Sequence, residues 1–306
     1  MSTTNGTGTE EDISRLELPP ESVVVLSIVS ALTSVAGSLG NALVMIAVFK
    51  SQTLRSIPDY IISSLAFSDF TVCFIHLPLM IHRYNHYTKY LTHVDSAVSI
   101  ATSFFGHCSW IASVTNMFVV TIDRVIAVRF PLKYTRIMTV PKALCAIALV
   151  WTISLTFGAF YAREIGASKL IILSYCIILM IGTWAMYAYI FFAAKQQENK
   201  VQTLNSSAGP LVSAEQKAEK KATKTIFTVV GIYTLCWLPL LLFPIIVFSS
   251  SSKNELYKRY FPWVQTLLTI NSALNPYVYC LRSRKYRYQF AKLLGIRRYQ
   301  NHPVDE

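Results

Sequence analysis

The chain has 306 residues, of which 53% belong to the AVILMFWYC set and only 14% are Asp, Glu, Lys or Arg, with a mean hydropathy of +0.42. A soluble globular domain carries about 25% charged residues, so this composition leaves too little polar surface for a water-soluble enzyme, a disordered chain or a secreted disulfide scaffold. The formal net charge of +12 would suit a nucleic-acid partner, and where those charges fall decides the matter.

Stretches free of Asp, Glu, Lys and Arg cover residues 22–49, 96–122, 143–162, 170–194, 225–252 and 260–281. Each has the roughly 20 residues a helix needs to cross a hydrocarbon core about 30 Å thick. Residues 60–82 make a seventh stretch, interrupted only by Asp69. None alternates with the period of a barrel strand, and in lipid a helix satisfies its own backbone. The pattern predicts an all-α, seven-transmembrane helix bundle over residues 23–281, with an N-terminal tail at 1–22 and a final segment at 282–306.

An odd number of spans puts the termini on opposite sides of the membrane. Of the 28 Lys and Arg, the side of the N-terminus receives Arg15, Arg83, Lys89, Arg163, Lys169, Lys253, Lys258 and Arg259, and the other side receives 20. The positive-inside bias therefore predicts an outer N-terminus and a cytoplasmic C-terminus. Topology accounts for the charge, and no nucleic-acid partner is needed. The acidic start of the chain does not resemble a signal peptide.

Asn5-Gly6-Thr7 is a glycosylation acceptor on the expected outer side, whereas Asn205-Ser206-Ser207 falls on the inner side and reads as chance. All six cysteines lie inside predicted spans, where they read as packing residues, and no disulfide is expected. The longest inner connection, residues 195–224, holds Ser206, Ser207, Gly209 and Pro210 and reads as a flexible loop.

Polar groups inside spans are costly, so they mark function. Asp69 lies deep in the second span, Asp123 and Arg124 end the third, and Asn41, Ser113, Asn271 and Asn275 fall within others. Asn271 and Asn275 share a helix face.

In order, the chain carries Gly40-Asn41, Leu65-Ala66-Phe67-Ser68-Asp69, Asp123-Arg124, Trp151, Cys236-Trp237-Leu238-Pro239 and Asn275-Pro276-Tyr277-Val278-Tyr279. These motifs, each in its proper span, resemble those of the rhodopsin-like (class A) G protein-coupled receptors over nearly the whole chain.

The resemblance implies a set of roles. Asp69, with Asn41, Ser113, Asn271 and Asn275, would converge on a sodium ion and water, with Asp69 as its metal ligand, since hard cations take oxygen donors; the alternative is a polar network that joins helices. No other cofactor is implied. Asp123 would pair with Arg124, and Glu219 at the foot of helix 6 would reach the same Arg; otherwise Glu219 is a solvated charge within residues 215–224. Such a lock, broken on activation, is the bistable element a switch requires. Trp237 and Pro239 would form the bend of helix 6, and Tyr187 and Tyr279, with Pro276, would meet through water in the active state. Arg282-Ser283-Arg284-Lys285 would open a short amphipathic helix 8 with Tyr286, Phe290, Leu293 and Leu294 on its apolar face.

Departures from the family pattern carry information too. Val125 follows Asp123-Arg124, a tolerated variation. Ser99 stands where a helix 3 cysteine is usual, the short second outer loop holds no partner for one, and Leu179 stands where helix 5 usually has proline. Together they resemble the melanocortin, cannabinoid and lysosphingolipid receptor group, although Leu79, Ser103 and Gly106 replace the acidic residues that would hold a basic peptide. Gly106 also removes the Asp of an amine receptor, and Thr269 replaces the lysine that binds retinal. The expected pocket lining is His76, His82, Arg83, Gly106, His107, Trp110, Tyr175, Leu240, Pro244 and Gln265, for a small or lipid-like ligand.

The resemblance thus implies a receptor that passes an extracellular ligand signal to a heterotrimeric G protein and is not an enzyme. No catalytic residues are assigned. The rival reading, a seven-helix transporter or ion-conducting protein, would need charges along a path or an internal repeat. After Ser283 there is no Ser or Thr, so phosphorylation-dependent arrestin binding would fall on the third inner loop.

Overall fold

The computed structural model describes residues 18–90, 96–165, 168–204, 231, 234–243, 245–247 and 253–296. Asn5, Ser206, Ser207, Ser213, Glu219 and Pro244 lie outside the described residues. Among those described, every regular element is helical. Helix α1 is Pro20–Lys50. Helix α2 runs Ile57–Thr71, passes through a π turn at Val72–His76 and continues Leu77–Tyr90. Helices α3, α4 and α5 are Ser96–Arg129, Val140–Ala162 and Ser168–Leu204. Helix α6 is Thr234–Val247, α7 is Lys253–Arg282, and α8 is Arg284–Leu293.

Local chemistry sets the boundaries. Pro20 fixes the first turn of α1, where its missing N–H costs nothing; Glu21 and Lys50 match the helix dipole at the two ends. Ser56 and Asp59 form a capping box at the start of α2. The hydroxyl of Ser283 caps α8 by accepting from the backbone N–H of Tyr286.

Much of the exposed surface of the helices is apolar, and small and polar residues are prominent among those buried, unlike a soluble protein. In α1, Ser30, Thr33, Gly37, Gly40 and Asn41 face inward, while Leu32 is 68% and Val35 62% exposed. Lipid covers such a surface at no hydrophobic cost, and small residues inside let backbones approach. Gly37 packs directly on Cys73 and Ala273, and Gly40 on Pro276. Helices α1 to α5 are each long and apolar enough to cross a bilayer alone. Helix α7 is equally long, 30 residues, but its apolarity is diluted by Thr266, Thr269, Asn271, Ser272 and Asn275, all buried in the bundle.

Cross-helix contacts give the direction of each element. Val23 and Leu26 of α1 pack on Met80 and Tyr84 of α2, so α1 and α2 run antiparallel. Asp69 meets Ser113 at one level and His76 meets Gly106 at another, which makes α2 and α3 antiparallel as well. Trp151 Nε1 of α4 donates to Ser64 Oγ at 3.1 Å. The indole N–H of Trp184 donates to Thr234 Oγ1 at 3.0 Å, joining α5 to α6. The bundle therefore has one face where α1 begins, the N-side, and one where α8 lies, the C-side.

Helix α8 is tied to the C-side by packing and by polar bonds. Tyr286 and Phe290 are buried against Val44, Ala47, Val48, Leu54 and Ala66, and Tyr286 Oη donates to Asp59 Oδ1 at 3.0 Å. Burial and the Asp59 carboxylate push the Tyr286 phenol upward, so it remains a donor. Ala291 is buried on the same face, whereas Leu294, expected there, is 59% exposed, because the helix ends at Leu293.

Candidate functional site: a ligand cavity above a polar core and a C-side ion pair

Three levels of the bundle carry the functional candidates. At the C-side end of α3, Arg124 Nη2 lies 2.7 Å from Asp123 Oδ2. Tyr134, in the helical turn Tyr134–Ile137, donates to the other carboxylate oxygen at 2.6 Å. The carboxylate is 1% exposed and the guanidinium 41%. The guanidinium is thus open to the C-side while the carboxylate is closed off behind it. Partial burial, and then the Asp123 carboxylate, push the Tyr134 phenol up to about 12, so it stays protonated at neutral pH. Tyr134 went unnoticed in the sequence because only the turn after Arg129 brings it back to Asp123.

At mid-depth, Asp69 is fully buried. Ser113 Oγ donates to its Oδ1 at 3.2 Å and Asn275 Nδ2 to its Oδ2 at 2.6 Å, and the Ser272 side chain lies close to its carboxylate. Asn41 reaches this group indirectly. Its Nδ2 donates to Gly37 O at 2.9 Å and Ser272 O at 3.0 Å, and its Oδ1 is buried and has no partner among the described residues. Asn271 is buried at 3% exposure, and among the described residues no hydrogen bond joins it to Asp69. Ser272 is the member sequence reasoning missed, although it sits between two asparagines already singled out. The donor set around Asp69 is rich in oxygen, and Asn41 Oδ1 adds an unused buried acceptor, which fits a small hard cation with water.

Toward the N-side, a cavity of about 400 Å³ opens between α3, α4, α5, α6 and α7. Helix α3 contributes His107, Trp110 and Ile111, and α4 contributes Tyr161. Helix α5 gives Ile172, Leu173 and Cys176; α6 gives Trp237, Leu240, Leu241, Phe243 and Val247; α7 gives Tyr257 and Phe261. Trp237 is 3% exposed and packs with Val72, Trp110, Val114, Met117 and Leu268, so the cavity rests on the same apolar cluster that roofs the polar core. Pro239 follows Trp237 in α6, where its missing N–H weakens the helix.

Of the lining expected from sequence, His107, Trp110 and Leu240 border this cavity. His76, Arg83, Gly106, Tyr175 and Gln265 do not. His76 is 1% exposed and lies against Gly106 and edge-on to Trp110, and its Nδ1 sits 3.1 Å from Thr102 O. Tyr175 turns to Thr115, with the two hydroxyls 3.0 Å apart. His82 is exposed, its ring 5.8 Å from that of His86 on the outer face of α2. Tyr187 is buried in α5, and Tyr279 packs on Tyr286 at the C-side. All six cysteines are free thiols.

A helical bundle with a cavity on one face, a buried carboxylate at mid-depth and an Asp-Arg pair on the other face has the layout of a membrane receptor. The 7 transmembrane receptor (rhodopsin family) model matches residues 40–163 and 161–279, and the chain belongs to that family: it is a multi-pass membrane protein and a G protein-coupled receptor, with a G protein and an extracellular ligand as its partners. It is 26% identical over 286 residues to the human (Homo sapiens) melanocortin receptor 3, covering 90% of this chain and 85% of the relative. With the melanocortin receptor 5 of Rattus norvegicus it shares 27% identity over 281 residues, 85% of this chain and 82% of the relative. With the adenosine receptor A2b of Gallus gallus the figures are 25% over 315 residues, 89% and 88%.

Proposed function

We propose that this receptor sits in the plasma membrane with its N-side outside and its C-side in the cytoplasm, and that a small or lipid-like ligand in the 400 Å³ cavity promotes nucleotide exchange on a heterotrimeric G protein. The placement of 20 of the 28 Lys and Arg on the C-side supports this orientation. Residues 1–22 form the outer tail, with glycosylation at Asn5, and residues 282–306 form a cytoplasmic end. The ligand favours a state in which α6 swings about Pro239, pushed through Trp237. Tyr187, Tyr279 and Pro276 then rearrange with water, and the C-side opens around Arg124. A sodium ion held by Asp69 and Ser113, with Asn41, Asn271 and Asn275 around it, stabilises the resting state.

The observation that carries the reading is the Asp123–Arg124 pair. A buried carboxylate, satisfied on one oxygen by Tyr134, holds a half-exposed guanidinium on the other. Freeing that guanidinium leaves the carboxylate on Tyr134 alone, and a G protein can supply the replacement contact for Arg124. Glu219 is the second restraint, drawing Arg124 toward the foot of helix 6. Basal guanine-nucleotide exchange on a panel of G proteins tests this directly. Glu219→Ala raises the basal rate several-fold on the partner G protein; a rate unchanged across the panel, with normal surface expression, removes Glu219 from the lock. Arrestin engages the third inner loop, so alanine at Ser206, Ser207 and Ser213 abolishes its recruitment. Undiminished recruitment would place the signal elsewhere.

A further inference from the structure

The geometry points to an uncharged lipophilic molecule as the ligand of the α3–α7 cavity, one that presents a single hydrogen-bonding oxygen toward the His107–Tyr161 corner. This inference rests on the receptor reading above and names the ligand chemistry of that same site.

The first support is charge. Among the described residues no Asp, Glu, Lys or Arg borders the cavity, and Arg83 and Glu164, which act on Tyr161, are opposite in sign and stand outside the lining. An ammonium or carboxylate entering it would leave water without meeting a counter-charge, the costliest kind of burial. The remaining lining is aliphatic and aromatic, with Leu173, Leu240, Leu241 and Val247 among its members, which rewards apolar surface in proportion to the area covered.

The second support is the arrangement of the rings. An aromatic cage grips a cation through exposed ring faces. Here the faces are turned on one another. Tyr257 and Phe261 stack with centroids 4.6 Å apart and planes at 15°, and His107 stacks on Tyr161 with planes at 18°. In each pair one face of either ring is taken up by its neighbour, which leaves less ring face for a cation.

The third support is the shape of the polar end. His107 Nδ1 lies 2.8 Å from Ser103 O; because a carbonyl only accepts, Nδ1 carries the proton and the ring is fixed in plane. The imidazole and the Tyr161 phenol are thus a preorganised polar corner in an apolar chamber, the usual design of a site that takes one lipophilic molecule in one orientation. On the α2 side, the His76 ring fills the space beside Gly106 and closes that direction.

The test uses the purified full chain in phospholipid nanodiscs and three probes with one tail: hexadecanol, hexadecanoate and hexadecylamine. Hexadecanol raises the apparent unfolding temperature saturably, with an apparent affinity at least tenfold above either charged probe. Cys176→Trp, which fills the cavity, removes that shift, and Cys176→Val retains it; Leu173→Trp serves the same purpose if Cys176→Trp does not fold. An equal or larger response to the amine or the carboxylate, a hexadecanol shift that survives both filled cavities, or no saturable hexadecanol shift overturns the inference. Basal exchange on a G protein, measured on the same preparation without any probe, reports separately on the receptor reading, since its absence touches that reading and leaves the probe comparison intact.

Discussion

Asp69→Ala lowers the stability of the receptor by roughly 2–5 kcal/mol, read as a fall in apparent unfolding temperature of the purified chain. The size follows from what the carboxylate satisfies. Ser113 Oγ and Asn275 Nδ2 both donate to it in a site closed to bulk solvent, and each buried polar group left without a partner costs about 1–3 kcal/mol. The residue also joins α2, α3 and α7, so its loss loosens three helices together. Asn271→Ala is the matched control, buried in the same helix as Asn275 but not bonded to Asp69, and costs less. Asp69→Asn keeps the volume and part of the bonding, so it falls between the two, and it abolishes any dependence of unfolding on sodium chloride as against potassium chloride. An Asp69→Ala protein as stable as its parent would mean that the network joins nothing.

The sequence made the spans and the polar core legible for the same reason. Lipid penalises charge and rewards long apolar runs, so residues 22–49 and 170–194 declare themselves, and Asp69 stands out as the one carboxylate deep within a run. Tyr286 and Phe290 likewise announce an apolar face of α8 four residues apart, and the structure buries both. The cavity was harder to read, because an aromatic or aliphatic side chain looks alike whether it faces lipid, a neighbouring helix or a chamber. Ile172 is 7% exposed and its neighbour Ile171 54%, a difference set by the rotation of α5 and not by residue type. Helix α2 adds a second obstacle. Its π turn at Val72–His76 inserts one extra residue into the helical repeat, so every position beyond it is rotated relative to a regular helix. His76, expected at the pocket, is turned into the α2–α3 contact instead, and the polar end of the site passes to His107.

That contact is tight enough to test. A Cβ placed at Gly106 would lie 2.5 Å from His76 Cε1 and 2.8 Å from its Nδ1, closer than unbonded atoms tolerate. Gly106→Ala therefore destabilises the receptor by roughly 1–3 kcal/mol through overpacking, and Gly106→Leu by more, despite alanine's better helix propensity. The imidazole has little freedom to retreat, since it is held at Thr102 O on one side and meets the edge of Trp110 on the other. His76→Ala removes the obstacle. In the double variant His76→Ala/Gly106→Ala the cost of the added methyl disappears, so the two substitutions are strongly non-additive. Simple additivity would show that the ring does not occupy that space. The same pair bears on ligand choice. Trp110 borders the cavity and has His76 behind it, so clearing His76 gives the indole room to move and extends the chamber toward α2. Gly106 and His76 thus act together as the back wall of a site to which neither contributes lining, and His76→Ala should admit larger uncharged molecules than the parent receptor accepts.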